Sequence, residues 1–232
     1  FVVADQQLAS VNTANLFCEK GHSVSLVILD EARNSFYPVH PSVEIIHHSL
    51  SFGITPEGNV ISRKIKLLTD VLKLRRLLKQ LHPDIVIASE YPFAAAIILS
   101  GSHKIAKAIS WEHHHFYELK RNRFWHKIFK LTYPWLEAVV CLNNDEKRLF
   151  ETINPKTTVI PNFIKAAARS ELANKTILTV GRLTAVKGAD LLLQTAKLVL
   201  QQHPGWKWKL IGDGDLKEEV LHFIEKENCF RS

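Results

Sequence analysis

The 232-residue chain contains no methionine and only three cysteines. With no Met present, the native start is expected to lie upstream of Phe1. Cys18, Cys141 and Cys229 are far apart and lack metal-ligand spacing. An odd, sparse set of this kind argues against a disulfide framework and suits a reducing compartment. No apolar run approaches the ~18 residues that a membrane span needs; the longest candidate is Ala94 to Leu99. No signal peptide is visible, but Phe1 is not a native start. Two phosphate motifs are missing too. Lys187 is followed by Gly188 where a Walker loop needs Ser or Thr, and there is no Gly-x-Gly-x-x-Gly. No RNP1-like signature accompanies the basic and aromatic stretches, so no nucleic-acid partner is expected.

What is present is an ordinary globular composition, 46% hydrophobic and 23% charged, with a net charge of +7 and a pI near 9.3. A basic balance calls for an anionic partner: nucleic acid, a membrane surface or a phosphorylated small molecule. The charge is concentrated in two places. The first is a helix over Val60 to Leu81, where Ile61, Ile65, Leu68, Val71, Leu72 and Leu78 form an apolar stripe. Arg63, Lys64, Lys66, Lys73, Arg75, Arg76 and Lys79 accompany that stripe. The second is residues 117–135, where Lys120, Arg121, Arg123, Lys127 and Lys130 interleave with Phe124, Trp125, Phe129 and Trp135. Both fit an ordinary helix packed on a sheet, and both fit contact with an anionic membrane.

Strand-like and helix-like segments alternate along the chain. The reading is helix 8–20, strand 23–29, strand 43–47, loop 51–59, helix 60–81, strand 83–89, helix 91–100, strand 104–110, strand 138–142, helix 143–151 and strand 158–160. Such alternation indicates an α/β fold with a doubly wound parallel sheet, whose ligands gather at the carboxyl ends of the strands. Trp111-Glu-His-His-His-Phe falls at one such end. Three adjacent His on one short loop are poorly spaced for a metal, so no metal site is expected. A structural role for each His stays open. Pro161 to Asn174 lacks periodicity and reads as a linker, dividing the chain into domains 1–165 and 166–232.

The second domain opens on Ile177-Leu-Thr-Val-Gly-Arg-Leu-Thr-Ala-Val-Lys-Gly. Ile177 to Val180 reads as a buried strand and Gly181 ends it. Gly188 opens an amphipathic helix, Ala189 to Gln202. A glycine turn at a helix N-terminus suits a phosphate group, and Arg182 and Lys187 can add charge to a diphosphate. They can equally be solvated loop charges. A strand Lys207 to Ile211 follows, then Gly212-Asp-Gly and a helix from about Asp215 to Glu227. Asp213 suits the turn and can also face a ligand.

Val180-Gly-Arg-Leu-Thr-Ala-Val-Lys-Gly, Leu191-Leu-Leu and Trp208-Lys-Leu-Ile-Gly-Asp-Gly-Asp-Leu together resemble the donor domain of family 4 glycosyltransferases. Val159-Ile-Pro-Asn-Phe-Ile resembles that family's hinge segment, with Phe163 where glycine is usual. Ala14-Asn-Leu-Phe-Cys-Glu-Lys-Gly-His-Ser-Val resembles its first helix and second strand. The resemblance implies two Rossmann-like domains of GT-B type facing a cleft, the second incomplete here. It implies metal-free transfer of a hexosyl or N-acetylhexosaminyl group, with retention, from a nucleotide-diphosphate sugar. UDP-sugar is the favoured donor, and a saccharide or lipid-linked saccharide the acceptor. No separate cofactor is needed. Gly181, Arg182, Lys187, Gly212, Asp213 and Gly214 would then surround the donor diphosphate and nucleotide, Asn162 would line the cleft, and His113 would contact the transferred sugar, with His114 second. Glu112 would orient an imidazole or cap the loop. The family's glycine-rich first loop corresponds here to Val2-Val-Ala-Asp-Gln-Gln, without glycine, and its first strand is missing. Its pair of donor-site glutamates is expected beyond Ser232. These departures leave a catalytically inactive nucleotide-sugar or anion-binding module as the alternative. The basic helices suggest an acceptor at the inner membrane face, such as a lipid-linked saccharide of a surface polysaccharide, so a cytoplasmic enzyme of polysaccharide or glycoconjugate synthesis, peripheral to the inner face of the plasma membrane, is expected.

Overall fold

In the computed structural model, the residues described are 4–28, 37–48, 50, 60–89, 91–117, 123–163, 171 and 173–226. The loop expected at 51–59, Lys120 and Arg121, most of the linker, Cys229, and the side chains of Ile61, Arg63, Lys64 and Phe124 lie outside them. The chain divides into two compact units, residues 1–164 and 165–232.

In the first unit, α1 (Ala4–Glu19) leads through Gly21 into β1 (Ser25–Ile28), and β2 (Glu44–His47) pairs with β1 in parallel. Next come α2 (Val60–Leu81), β3 (Ile85–Ser89), α3 (Tyr91–Leu99), β4 (Lys107–Trp111), α4 (Arg123–Thr132), β5 (Ala138–Cys141), α5 (Asn144–Phe150) and β6 (Thr157–Val159). β3 to β6 form a parallel sheet in sequential order. The strands are short runs of Val, Ile and Ala, as expected where helices cover a parallel sheet. Val139 and Cys141 of β5 are buried completely. The core continues into an aromatic cluster of Phe116, Phe129, Tyr133 and Phe150. Ring centroids there are 4.0 Å apart for Phe129 and Tyr133, and 5.1 Å for the edge-to-face pair Phe116 and Phe150. Each such pair contributes about 1 kcal/mol beyond its buried area.

Two expectations change here. α1 begins at Ala4, so Ala4 to Gln7 are helical where a loop was expected. The stripe expected on α2 divides between two faces: Val71 and Leu78 are buried together with Leu74 and Leu77, whereas Ile65, Leu68 and Leu72 are roughly 60% exposed. The 3.6-residue period centres 71, 74 and 78 about 120° round the helix from 65, 68 and 72, so the two sets lie on different faces. In the basic-aromatic stretch, Phe129 belongs to the core, Trp125 meets Tyr91 edge-on at 5.6 Å, and Trp135 is 65% exposed.

The second unit contains β7 (Thr176–Val180), α6 (Ala189–Gln202), β8 (Lys207–Ile211) and α7 (Lys217–Lys226). β7 and β8 pair in parallel from Thr176↔Lys207 to Val180↔Ile211. Leu183, Ala189 and Val220 form its small core, with Leu193, Leu210, Leu216 and Ile224 packed on them.

Candidate functional site

In the second unit, two loops leave the carboxyl ends of β7 and β8 side by side. The Gly181 N–H donates to the Ile211 carbonyl at 3.0 Å, and the Leu183 N–H donates to that of Asp213 at 2.9 Å. The paired strands thus continue into their loops. This approach requires glycine: a Cβ at Gly212 would overlap the Gly181 carbonyl oxygen, and one at Gly214 would stand 2.5 Å from that of Leu183. Leu183 points inward and anchors the loop, and its carbonyl accepts from the Leu216 N–H at 2.9 Å. A single 3-10 turn, Ala185–Lys187, follows. Gly188 ends it with φ 71° and is the N-cap of α6 without a side-chain cap.

Arg182 and Lys187 extend from this scaffold as exposed side chains, and neither has an ion-pair partner among the described residues. Asp213 is engaged locally. One of its carboxylate oxygens accepts from the Gly214 N–H at 2.9 Å and lies 3.4 Å from Lys217 Nζ. The Gly214 hydrogen bond first, and the Lys217 charge second, hold its carboxyl below the usual carboxylate range. The structure therefore brings Gly181, Arg182, Lys187, Gly212, Asp213 and Gly214 together at one end of one sheet. The arrangement offers backbone N–H groups, a helix N-terminus and two unengaged cations, which is the chemistry of anion capture.

In the first unit, His113 follows the carboxyl end of β4, half-buried with its ring 4.6 Å from that of Trp111. The loop is fixed by two buried carboxylates. Glu112, 2% exposed, donates its N–H to the Val140 carbonyl at 2.8 Å. Its Oε1 accepts from the hydroxyls of Ser110 and Tyr133. Burial first and the Glu112 charge second raise the Tyr133 phenol well above its ordinary value of 10.0, so it remains a donor. Glu146, on α5, accepts from the Phe116 N–H at 2.9 Å and lies 3.1 Å from His115 Nε2. Sequence reasoning missed Ser110, Tyr133 and Glu146; their partners are up to 30 residues away, so no local motif marks them. Asn162 lies exposed just after β6, at the same carboxyl end of the parallel sheet as His113, two strands away. Among the described residues, no three His, Cys, Asp or Glu side chains converge as a metal site, and no helix is long and apolar enough to cross a membrane.

Residues 10–167 match Glycosyltransferase Family 4, and residues 162–229 match Glycosyl transferases group 1. The chain belongs to glycosyltransferase family 4. It is 28% identical over 223 residues to an uncharacterized glycosyltransferase of Haemophilus influenzae, covering 93% of this chain and 60% of that protein. It is 23% identical to one from Methanocaldococcus jannaschii, covering 84% and 55%. The chain thus spans a little over half the length of these relatives. Among solved structures, it resembles S. aureus TarM in complex with fondaparinux, alpha-GlcNAc-glycerol and UDP. The TM-score is 0.55 at 20% identity, covering 70% of this chain and 35% of that one. The likeness establishes the fold, that of the GT-B glycosyltransferases. Within this family-4 chain, the Gly181–Gly188 and Gly212–Gly214 loops lie in the stretch matched to the group 1 transferases. His113 lies in the stretch matched to family 4.

Proposed function

We propose that the chain supplies the acceptor-side domain and the first part of the donor domain of a retaining glycosyltransferase. The reaction moves a hexosyl or N-acetylhexosaminyl group from a nucleotide-diphosphate donor, UDP-sugar in the favoured case, to a saccharide or lipid-linked saccharide acceptor. The observation that carries this is the pair of loops closed by Gly181 and Gly212, with Arg182 and Lys187 exposed and unengaged beside the N-terminus of α6. In that role the two cations bind the diphosphate and stabilise the negative charge that grows on it as the sugar departs. The 212–214 backbone lies along the nucleotide, and Asp213 shapes that loop. His113 contacts the sugar from a loop that Glu112 and Glu146 hold still, and Asn162 stands at the same carboxyl end of the sheet.

Calorimetric titration with UDP and GDP tests the donor site. Saturable binding is expected, weakened at least about tenfold in the Arg182→Ala/Lys187→Ala double variant, because each charge-assisted contact is worth about 1.5–3 kcal/mol. Binding that the double variant retains unchanged would reject this site. A folded chain that binds neither nucleotide would reduce the loop to an inherited but inert feature. Binding without turnover in the full-length protein would favour the binding-module reading.

The acceptor-side proposal extends to an anionic membrane surface. The solvent face of α2 carries Ile65, Leu68 and Leu72 among Lys66, Lys73, Arg76 and Lys79, with no exposed acid among its described side chains. Such a face lies well at a headgroup boundary. Co-sedimentation with phosphatidylglycerol vesicles, but not with phosphatidylcholine vesicles, is expected, and a Leu68→Glu/Leu72→Glu variant is expected to remain in solution. Equal partition to both vesicle types would count against it.

A further inference from the structure

The loop after β4 alternates in its burial. Phe116 is buried and packs edge-on against Phe150, whereas Tyr117 is 53% exposed and the side chain of His115 is 58% exposed. The rings of His115 and Tyr117 stack on each other, with centroids 5.3 Å apart and planes 22° from parallel. Tyr117 also meets Phe116 edge-on at 5.9 Å. Two stacked rings are thus held at the surface by an anchor that belongs to the core.

A single exposed aromatic residue needs no explanation. The hydrogen bonds behind this pair do. His115 Nδ1 accepts from the Tyr117 N–H at 3.3 Å, which places the ring proton on Nε2. Nε2 lies 3.1 Å from Glu146 Oε1, while Oε2 of the same carboxylate accepts from the Phe116 N–H at 2.9 Å. Glu146 is fixed in turn, because its own N–H donates to Asn143 Oδ1 at 2.8 Å, at the N-cap of α5. Both imidazole nitrogens therefore face into the loop, and the ring offers a partner its flat face instead of its nitrogens. Burying a carboxylate carries a desolvation cost, and here it steadies a ring that stays mostly in water. Rings locked from behind and open in front make a preorganised contact surface.

The position and the chemistry narrow the partner. β4 and β5 are parallel neighbours; the loop leaves the carboxyl end of β4, and Glu146 stands in the first turn of the helix that follows β5. His115 and Tyr117 therefore belong to the same loop as His113, at the carboxyl end of the sheet. The face of an aromatic ring carries partial negative charge, so it attracts C–H groups and repels anions. A pyranose suits it, because its ring face presents C–H groups while its hydroxyls point outward to polar neighbours. A phosphate does not, since the nearby carboxylate of Glu146 would repel it. A nucleobase also stacks on such rings, and experiment separates it from a sugar.

We propose that His115 and Tyr117 form a stacking platform for a pyranose ring of the acceptor saccharide, with Glu146 as the positioning residue behind it. Assigning that sugar to the acceptor rests on the transferase reading; the platform itself rests on the stacked rings.

The test is saturation-transfer NMR on the 232-residue chain with methyl β-glucoside, methyl β-galactoside and methyl N-acetyl-β-glucosaminide as probes. Transfer to the ring C–H protons of at least one is expected, with a Kd of about 1–10 mM. Tyr117→Ala should weaken that binding at least about fivefold, whereas Tyr117→Phe, which keeps the ring face, should stay within about twofold. The side chain is exposed, so both variants should keep the wild-type melting temperature. A folded chain that transfers to none of the three, or binding that Tyr117→Ala keeps in full, would overturn the proposal. Transfer to the uracil protons of UDP that Tyr117→Ala abolishes would assign the rings to a nucleobase and overturn it equally. Titration with UDP alongside separates this outcome from that of the donor site. A chain that binds a pyranoside through Tyr117 but no nucleotide keeps the platform and loses the donor site, and the converse removes the platform alone.

Discussion

The two units place candidate site loops at strand ends by opposite means. In the first, the loop after β4 is held by side chains: Glu112 takes the hydroxyls of Ser110 and Tyr133, and Glu146 takes the Phe116 N–H and meets His115. In the second, the backbone holds the loops, through glycines at 212 and 214 and strand bonds that continue past the sheet. The first arrangement uses its charges internally and buries them. The second leaves Arg182 and Lys187 exposed. Mutation should therefore separate the units: removing a charge should destabilise the first, whereas adding a methyl group should destabilise the second.

The largest effect is expected from Glu112→Ala. It leaves buried hydroxyls without their acceptor, at a cost of about 3 kcal/mol to the first unit, readable by urea denaturation. Glu112→Gln should recover part of that loss, because an amide oxygen still accepts. A loss near zero for Glu112→Ala would show that the buried carboxylate is not what fixes the His113 loop. Gly212→Ala follows at roughly 2 kcal/mol, because its Cβ meets a backbone carbonyl that cannot swing aside. Exchange should rise across β7 and β8 and stay unchanged in β4 and β5, and UDP binding should weaken with it. A Gly212→Ala protein with native exchange would mean that the loops do not need this close approach.

Tyr133→Phe is smaller, about 1.5 kcal/mol near neutrality, because one hydrogen bond to a buried charge disappears while the ring stays in the core. It also carries a pH signature. The folded-state phenol is raised above its unfolded value, so the folded state holds the proton more tightly. That contribution is complete below the unfolded value, near 10, and is lost as pH rises through the folded one. The wild type should lose stability more steeply above pH ~10 than Tyr133→Phe does. Parallel alkaline curves would remove Tyr133 from the account.

Much of this was legible in the sequence, for a physical reason in each case. α6 and β8 have the bounds that their own periodicity predicts, Ala189–Gln202 and Lys207–Ile211, because both are local patterns ended by Gly or His-Pro. The Gly181 to Gly214 loops were legible because a backbone-built site writes its requirement as glycine in the sequence. The Glu112 and Glu146 networks were not, because Ser, Tyr and Glu carry no sign of which distant partner will bury them. α2 shows the intermediate case. Its helicity is evident from the sequence, yet the apolar pattern does not separate exposed Ile65, Leu68 and Leu72 from buried Val71 and Leu78. Apolar residues lie on both faces of that helix, and only packing decides which face the sheet covers.

The smallest expected effect sharpens the comparison most. Asp213 is a carboxylate of the loop after β8, and it is exposed where Glu112 is buried. An Asn at this position still accepts from the Gly214 N–H and loses only the Lys217 charge pair, so Asp213→Asn should shift the melting temperature by less than about 2 °C at pH 7. The folded-state carboxyl lies below its unfolded value. Any stability it contributes is therefore present above pH ~4 and disappears as pH falls through the folded value, where wild type and variant should converge. If Asp213 acts by shaping the turn, UDP affinity in Asp213→Asn should stay within about threefold of wild type, because the turn keeps its hydrogen bond. A loss as large as that of the Arg182→Ala/Lys187→Ala variant, with the melting temperature unchanged, would instead place this carboxylate in direct contact with the nucleotide. Loop shape alone would then no longer describe the second unit.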